Sequence, residues 1–163
     1  GSYATSYIPT YGTSVTRNED DCYMIDTTLL GQSEGVVYWE GQNIGDSNAP
    51  YIGFYNNTTN RILIYYSGGL NAQVRVSSVV EFQSATASVT GKVKAALAYK
   101  NNDFAFYVNG NQISTSSSGS TFSLTQINRI DLGYSAQDGG KNNKVMTFKT
   151  RLSNAELADL TTL

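Results

Sequence analysis

Residues 104 to 113 read FAFYVNGNQI. Phe104, Phe106 and Val108 alternate with Ala105, Tyr107 and Asn109, and Asn109-Gly110 then turns the chain into Gln112-Ile113. A period of two sends successive side chains to opposite faces of a strand. Asn-Gly closes such a run because a type I′ turn needs positive φ at both central positions, which these residues tolerate. The stretch predicts an antiparallel hairpin, and the rest of the chain repeats its materials. Tyr, Thr, Ser, Asn, Val and Gly dominate, while charged residues are only 15%. β-Branched and aromatic residues suit a pleated, half-buried surface, and Gly, Asn and Ser supply turns, so the composition predicts an all-β chain.

The same patterning predicts strands over residues 3–8, 22–27, 35–42, 51–55, 61–66, 73–80, 92–100, 103–108, 112–115, 128–134 and 144–151. Turn clusters separate them: NNTTN at 56–60, SGGLN at 67–71, KNND at 100–103 and QDGGKNN at 137–143. Many short strands without a fixed repeat point to a two-sheet sandwich or barrel rather than a propeller or solenoid. STSSSGSTFS at 114–123 reads as a loop within it. The end of the chain departs from the pattern, because Ser153-Asn154-Ala155-Glu156 is an S-x-x-E capping box. It predicts a short helix ending near Thr161, with Leu157 and Leu160 on one face.

At 163 residues the chain is expected to form one domain with a core that needs no staples. Gly1-Ser2 reads as a cloning remnant, which would make residues 3–163 a domain cut from a longer protein. The single Cys22 allows neither an internal disulfide nor a thiolate zinc cluster and is read as a small buried side chain. A formal charge of −2 with scattered Lys and Arg lacks the footprint of a nucleic-acid binder. No run approaches the roughly 18 apolar residues of a membrane span.

With no His, the chain cannot build a Ser-His-Asp triad, a Cys-His pair or a histidine metal site. A glycosidase with two carboxylates stays open, yet Glu34 and Glu40 are separated by an apolar strand and Glu81 is isolated in VVEFQ. No catalytic residue is therefore assigned. SGGLN and QDGGKNN lack the spacing and following helix of a phosphate cradle. No cofactor is required, although Glu19, Asp20, Asp21, Asp46, Asn48, Asp138 and Asn142 offer oxygens to calcium.

Five segments carry a resemblance. KVKAALAYKNNDFAFYVNGNQI (92–113), RIDLGYS (129–135) and FKTRLSNAELADLTTL (148–163) resemble strands and the closing helix of concanavalin-A-like and laminin-G-like lectin domains. ATSYIPTYGTSVTRNEDD (4–21) followed by SEGVVYWEG (33–41) resembles the start of a subgroup found in bacteriophage and prophage tail-fibre or structural proteins. The resemblance implies an antiparallel jelly-roll sandwich, carbohydrate as the partner, and a place at a virion surface or outside a cell. It carries no catalytic residue to this chain. The rival expectation is a virion decoration module that contacts only protein.

Sugar rings present apolar C–H faces to aromatic side chains while amides and carboxylates take their hydroxyls, and the chain has 12 Tyr and one Trp. In YIGFY, Ile52 and Phe54 are assigned to the core, so Tyr51 and Tyr55 point out. In VVYWEG, Glu40 is least suited to burial, which sends Tyr38 outward and puts Trp39 in the core, where its N–H needs a partner. In RILIYY, Ile62, Ile64 and Tyr66 point in and Tyr65 lies outward beside Arg61. If their strands share a sheet, Tyr38, Glu40, Tyr51, Tyr55 and Tyr65 make one glycan-binding face.

Overall fold

The computed structural model describes residues 9, 11–14, 22–26, 28–43, 50–86, 88–123, 125–132 and 140–163. Its strands are β1 (Tyr23–Ile25), β2 (Glu34–Asn43), β3 (Pro50–Asn57), β4 (Asn60–Tyr66), β5 (Leu70–Val76), β6 (Val79–Ala85), β7 (Gly91–Lys100), β8 (Phe104–Val108), β9 (Asn111–Ser116), β10 (Arg129–Asp131) and β11 (Gly140–Phe148), followed by α1 (Asn154–Thr161). They form a six-stranded sheet ordered β1-β10-β3-β4-β5-β6 and a five-stranded sheet ordered β11-β2-β7-β8-β9. Every pairing is antiparallel. This is the jelly-roll sandwich expected from the sequence, and the strand expected over residues 3–8 lies outside the described residues.

The core between the sheets is built from one alternate row of each strand. Trp39, Leu97, Tyr99, Phe104 and Phe106 from one sheet meet Ile52, Phe54, Ile62, Ile64 and Val74 from the other, all fully buried. Phe82 stacks on Phe104 with ring centroids 5.6 Å apart. The N–H of Trp39 finds its acceptor in Asn142 Oδ1 at 2.6 Å, and the Tyr99 hydroxyl donates to Gly31 O at 2.5 Å. Burial raises the pKa of that hydroxyl, with the Glu34 charge as a second cause.

FAFYV is β8, and Asn109 and Gly110 take φ of 50° and 79°, as the hairpin reading requires. Both of its faces are buried, because α1 lies where solvent would otherwise be. Val36, Tyr38, Ala96, Ala98, Ala105 and Tyr107 cover the outer side of the five-stranded sheet, and Leu157 closes a second apolar cluster on them. Three alanines let the helix come close. The turn also latches the helix, since Gly110 N donates to Thr161 Oγ1 at 3.1 Å and Lys94 Nζ to Thr162 O at 2.7 Å.

Several expectations are corrected. Residues 73–80 are not one strand: β5 and β6 form a hairpin around Ser77-Ser78, with φ of 48° and 72°. No Asn-Gly marks it, and the strained turn is held from outside, by Asn60 Oδ1 accepting from Ser77 N and Thr59 O accepting from Ser78 N. Leu70 and Asn71, assigned to a turn, begin β5. Residues 140–143, likewise assigned to a turn, belong to β11, whose register shifts between Asn142 and Lys144. Cys22 is exposed beside the edge strand β1 instead of buried.

The capping box is present, with Glu156 Oε2 accepting from Ser153 N at 2.7 Å and Ser153 Oγ from Glu156 N at 3.3 Å. The Ser153 hydroxyl, then its N–H, holds the Glu156 carboxyl below its ordinary 4.5. A depressed folded-state pKa contributes stability above the unfolded value that is lost as pH falls through the folded one. Ser153→Ala is expected to cost about 1 kcal/mol in urea unfolding at neutral pH, and less below the carboxylate range. An unchanged midpoint at neutral pH would contradict this capping.

Candidate functional site

In the six-stranded sheet, the row Met24–Ile130–Phe54–Ile62–Val74–Phe82 runs across all strands, and its members from β10 to β6 are buried in the core. The residues on either side of it therefore point outward. One outward row is Tyr23–Asp131–Gly53–Leu63–Gln73–Gln83, and the next begins Ile25–Arg129–Tyr55–Arg61–Arg75. A further pair, Tyr65 and Asn71, extends the face along β4 and β5.

These side chains are organised by one another. Asp131, only 4% exposed, accepts from the Tyr55 hydroxyl on one oxygen and from Arg129 Nε at 2.7 Å on the other. The Arg129 guanidinium lies 4.0 Å from the centre of the Tyr23 ring and 5.5 Å from that of Tyr55, within cation–π range. Arg61 Nε donates to Gln73 Oε1 at 2.9 Å, and Gln73 Nε2 donates to Gln83 Oε1 at 3.3 Å. Gly53 is buried beneath the Leu63 side chain and the Tyr55 ring, which a Cβ there would meet at 3.1 and 3.5 Å. The result is a polar, aromatic surface whose side chains are already held in place.

Of the residues proposed from the sequence, Tyr55 and Tyr65 lie on this face and are half-buried. Tyr51 lies on β3, where the register shift between Pro50 and Ile52 makes it the extra residue, and its side chain is outside the described residues. Tyr38 and Glu40 are on the other sheet, so the five do not share one face. Tyr38 does point away from Trp39, as alternation requires, but α1 and its approach cover that side and leave Tyr38 2% exposed. Its hydroxyl donates to Glu40 Oε2 at 3.1 Å, and burial first, then this bond, raises its pKa. Arg75, Gln73, Arg129 and Asp131 were not selected from the sequence. The signal was present, since Gln73 and Arg75 alternate with Ala72, Val74 and Val76, and Arg129 with Ile130.

Glycosidic hydrolysis by two carboxylates needs a facing pair. On this face Asp131 is engaged by Tyr55 and Arg129, while Glu81, at the register shift between β5 and β6, accepts from Ser120 N at 2.9 Å. Among the described residues no group of three or more acids or Cys is placed to hold a metal. Of the calcium candidates, Glu19, Asp20, Asp21, Asp46, Asn48 and Asp138 lie outside the described residues, and Asn142 accepts the Trp39 N–H. A separate cavity of about 330 Å³ at the sandwich end is lined by Ser33, Glu34, Lys100, Asn101, Thr121 and Phe122. Its one ion pair, Lys100 to Glu34 at 3.5 Å, is solvated at the surface.

No family model and no curated protein matches the chain. Solved structures do. The CBM40 carbohydrate-binding module of the Ruminococcus gnavus IT-sialidase, bound to α2,3 sialyllactose, superposes with a TM-score of 0.66 at 17% identity, covering 82% of this chain and 84% of that one. Domain 4 of a GH43 extracellular arabinanase from Geobacillus stearothermophilus, in complex with arabinotriose, gives 0.70 at 12% identity, covering 87% and 72%. A heptameric SAP-like pentraxin from Limulus polyphemus gives 0.65 at 11% identity, covering 91% and 78%. At these identities the likeness establishes a shared fold.

Removing the carboxylate of Asp131 strands two donors at once. Asp131→Ala is expected to lower stability by about 1.5–3 kcal/mol, the range for a hydrogen bond to a charged group. In a double-mutant cycle with Arg129→Ala the two losses should fall short of additivity. Strict additivity would mean that the pair does not organise this face.

Proposed function

We propose that this chain is a non-catalytic carbohydrate-binding module whose sugar platform is the outer face of the six-stranded sheet. One observation carries the reading: Tyr55 and Tyr65 stand on a sheet surface with Gln73, Arg61, Arg129 and Asp131, most of them fixed by mutual hydrogen bonds before any ligand arrives. Aromatic faces take the apolar side of a sugar ring, and amides and guanidinium groups take its hydroxyls. Preorganisation removes the ordering cost that weakens binding by loose side chains. Two proteins of the same fold, the sialidase CBM40 and the arabinanase domain, are known in complex with oligosaccharides, which supports the same use here.

The opening segment's likeness to phage and prophage tail-fibre proteins supports placing the module on a virion surface, where several copies would raise a weak single-site affinity. The protein-contact alternative draws on one feature, the edge strand β1, where Tyr23, Met24 and Ile25 are 48%, 49% and 70% exposed. Exposed apolar edges invite another chain.

A broad glycan array, probed with the isolated chain in calcium and again in chelator, decides between them. Tyr55→Ala and Tyr65→Ala are expected to weaken binding about tenfold each, or about 1.4 kcal/mol, while Tyr38→Phe leaves it within about twofold. A well-folded sample that binds no glycan in either condition would favour the protein-contact reading.

A further inference from the structure

We infer that the cavity at the end of the sandwich is a second binding site, separate from the platform, and that it holds one neutral sugar residue by a pair of adjacent hydroxyls between Glu34 and Lys100. Place and size come first. Ser33 and Glu34 line it from the start of β2, Lys100 and Asn101 from the end of β7, and Thr121 and Phe122 from the segment that leads to β10. None of the six lies on the six-stranded sheet. A volume of about 330 Å³ stands at the lower end of the small-molecule range of about 300–1,000 Å³, which suits a single ring. Five of the six lining residues are polar, which disfavours an apolar guest.

The polar walls are anchored by one atom and keep another unused. Glu34 Oε2 accepts from Arg151 N at 3.1 Å and lies 3.5 Å from Lys100 Nζ, while Oε1 takes no hydrogen bond among the described residues. Asn101 Oδ1 accepts from Thr121 N at 3.2 Å, and its amide N–H groups donate to none of them. Thr121 Oγ1 donates to Ser33 O at 2.7 Å, which ties two walls together and leaves the Ser33 hydroxyl unengaged. A ligand can reach these groups, because Ser33, Lys100 and Asn101 are exposed and Glu34 and Thr121 half-buried. Phe122 is the apolar member. Its ring packs edge-on against Tyr99, 6.2 Å between centroids, and is a fixed patch for the C–H side of a sugar.

Charge selects the ligand class. Glu34 and Lys100 are direct cross-strand partners on β2 and β7, so the two formal charges of the cavity cancel. An anion would meet Glu34 and a cation Lys100, and neither gains on balance. A hydroxyl both donates and accepts, so two adjacent ones can donate to Glu34 Oε1 and accept from the Lys100 ammonium. Hydrogen bonds to charged partners are about twice as strong as neutral ones, and the exposed ion pair they loosen contributes little. The Arg151 N–H above all, and then the Lys100 charge, hold the Glu34 carboxyl below its ordinary 4.5, which keeps it an acceptor at neutral pH.

The test is an amide chemical-shift titration of the labelled chain with the methyl glycosides of glucose, galactose and mannose, with methyl glucuronide and glucosamine as charged probes and glycerol as a free polyol. At least one neutral glycoside is expected to shift Ser33, Glu34, Lys100, Asn101 and Thr121 together along a saturable curve. Glu34→Gln and Lys100→Met should each weaken that binding about tenfold, as should removal of one hydroxyl of the bound pair, while Tyr55→Ala leaves it within about twofold. The Lys100 side chain is 50% exposed, so Lys100→Met should leave Tm unchanged and separate loss of binding from loss of fold. No cavity shift from any neutral glycoside would overturn the inference. So would about tenfold tighter binding of the glucuronide, glucosamine or glycerol, or binding indifferent to both variants. Shifts confined to the six-stranded sheet would overturn it and leave the platform reading standing, whereas cavity shifts with a silent sheet face would support this site and count against the platform.

Discussion

The fold turns on a short helix lying against three alanines. Ala96, Ala98 and Ala105 leave room on the five-stranded sheet for Leu157, so α1 seats directly on strands whose other face already forms the core. Both faces of much of that sheet are thereby spent on packing. Among the described residues no helix packs on the outer face of the six-stranded sheet, whose outward rows carry polar and aromatic side chains. The same contact explains why the FAFYV hairpin has two buried faces and why its Asn109-Gly110 turn is tied to the helix end.

The polar outer face of the six-stranded sheet is rigid. Asp131 and Gln73 are nearly buried even though they point away from the core, and both are hydrogen-bonded to neighbours on adjacent strands. Each is bonded on more than one side, so the surface behaves as an extension of the sheet and not as a fringe of mobile side chains. Such a platform suits a ligand with many weak contacts and little apolar area. Its one engaged carboxylate among these residues, Asp131 on β10, serves a tyrosine and an arginine.

Alternation and turn chemistry made most of the sandwich legible in the sequence. The Asn-Gly hairpin, the Ser153 capping box and the burial of Trp39 follow from local rules, and each is found in place. Ser77-Ser78 escaped notice because its positive φ angles are supported by Asn60 and Thr59, which belong to a different turn. Alternation gives the side of the strand from which Tyr38 projects, but which element lies on that side is a tertiary fact. For the same reason the arginine row was invisible as a row, since Arg61, Arg75 and Arg129 are far apart in sequence and meet only through register.

Amide chemical-shift mapping tests the central claim most directly, with the isotopically labelled chain titrated in turn with 3′-sialyllactose, arabinotriose and oligogalacturonide. A saccharide that binds is expected to shift a contiguous set on β3, β4, β5 and β10, including Tyr55, Arg61, Gln73, Arg75 and Arg129, while α1 and β8 stay unperturbed. Shifts gathered instead on β2, β7 and α1, or at the cavity beside Lys100, would contradict it.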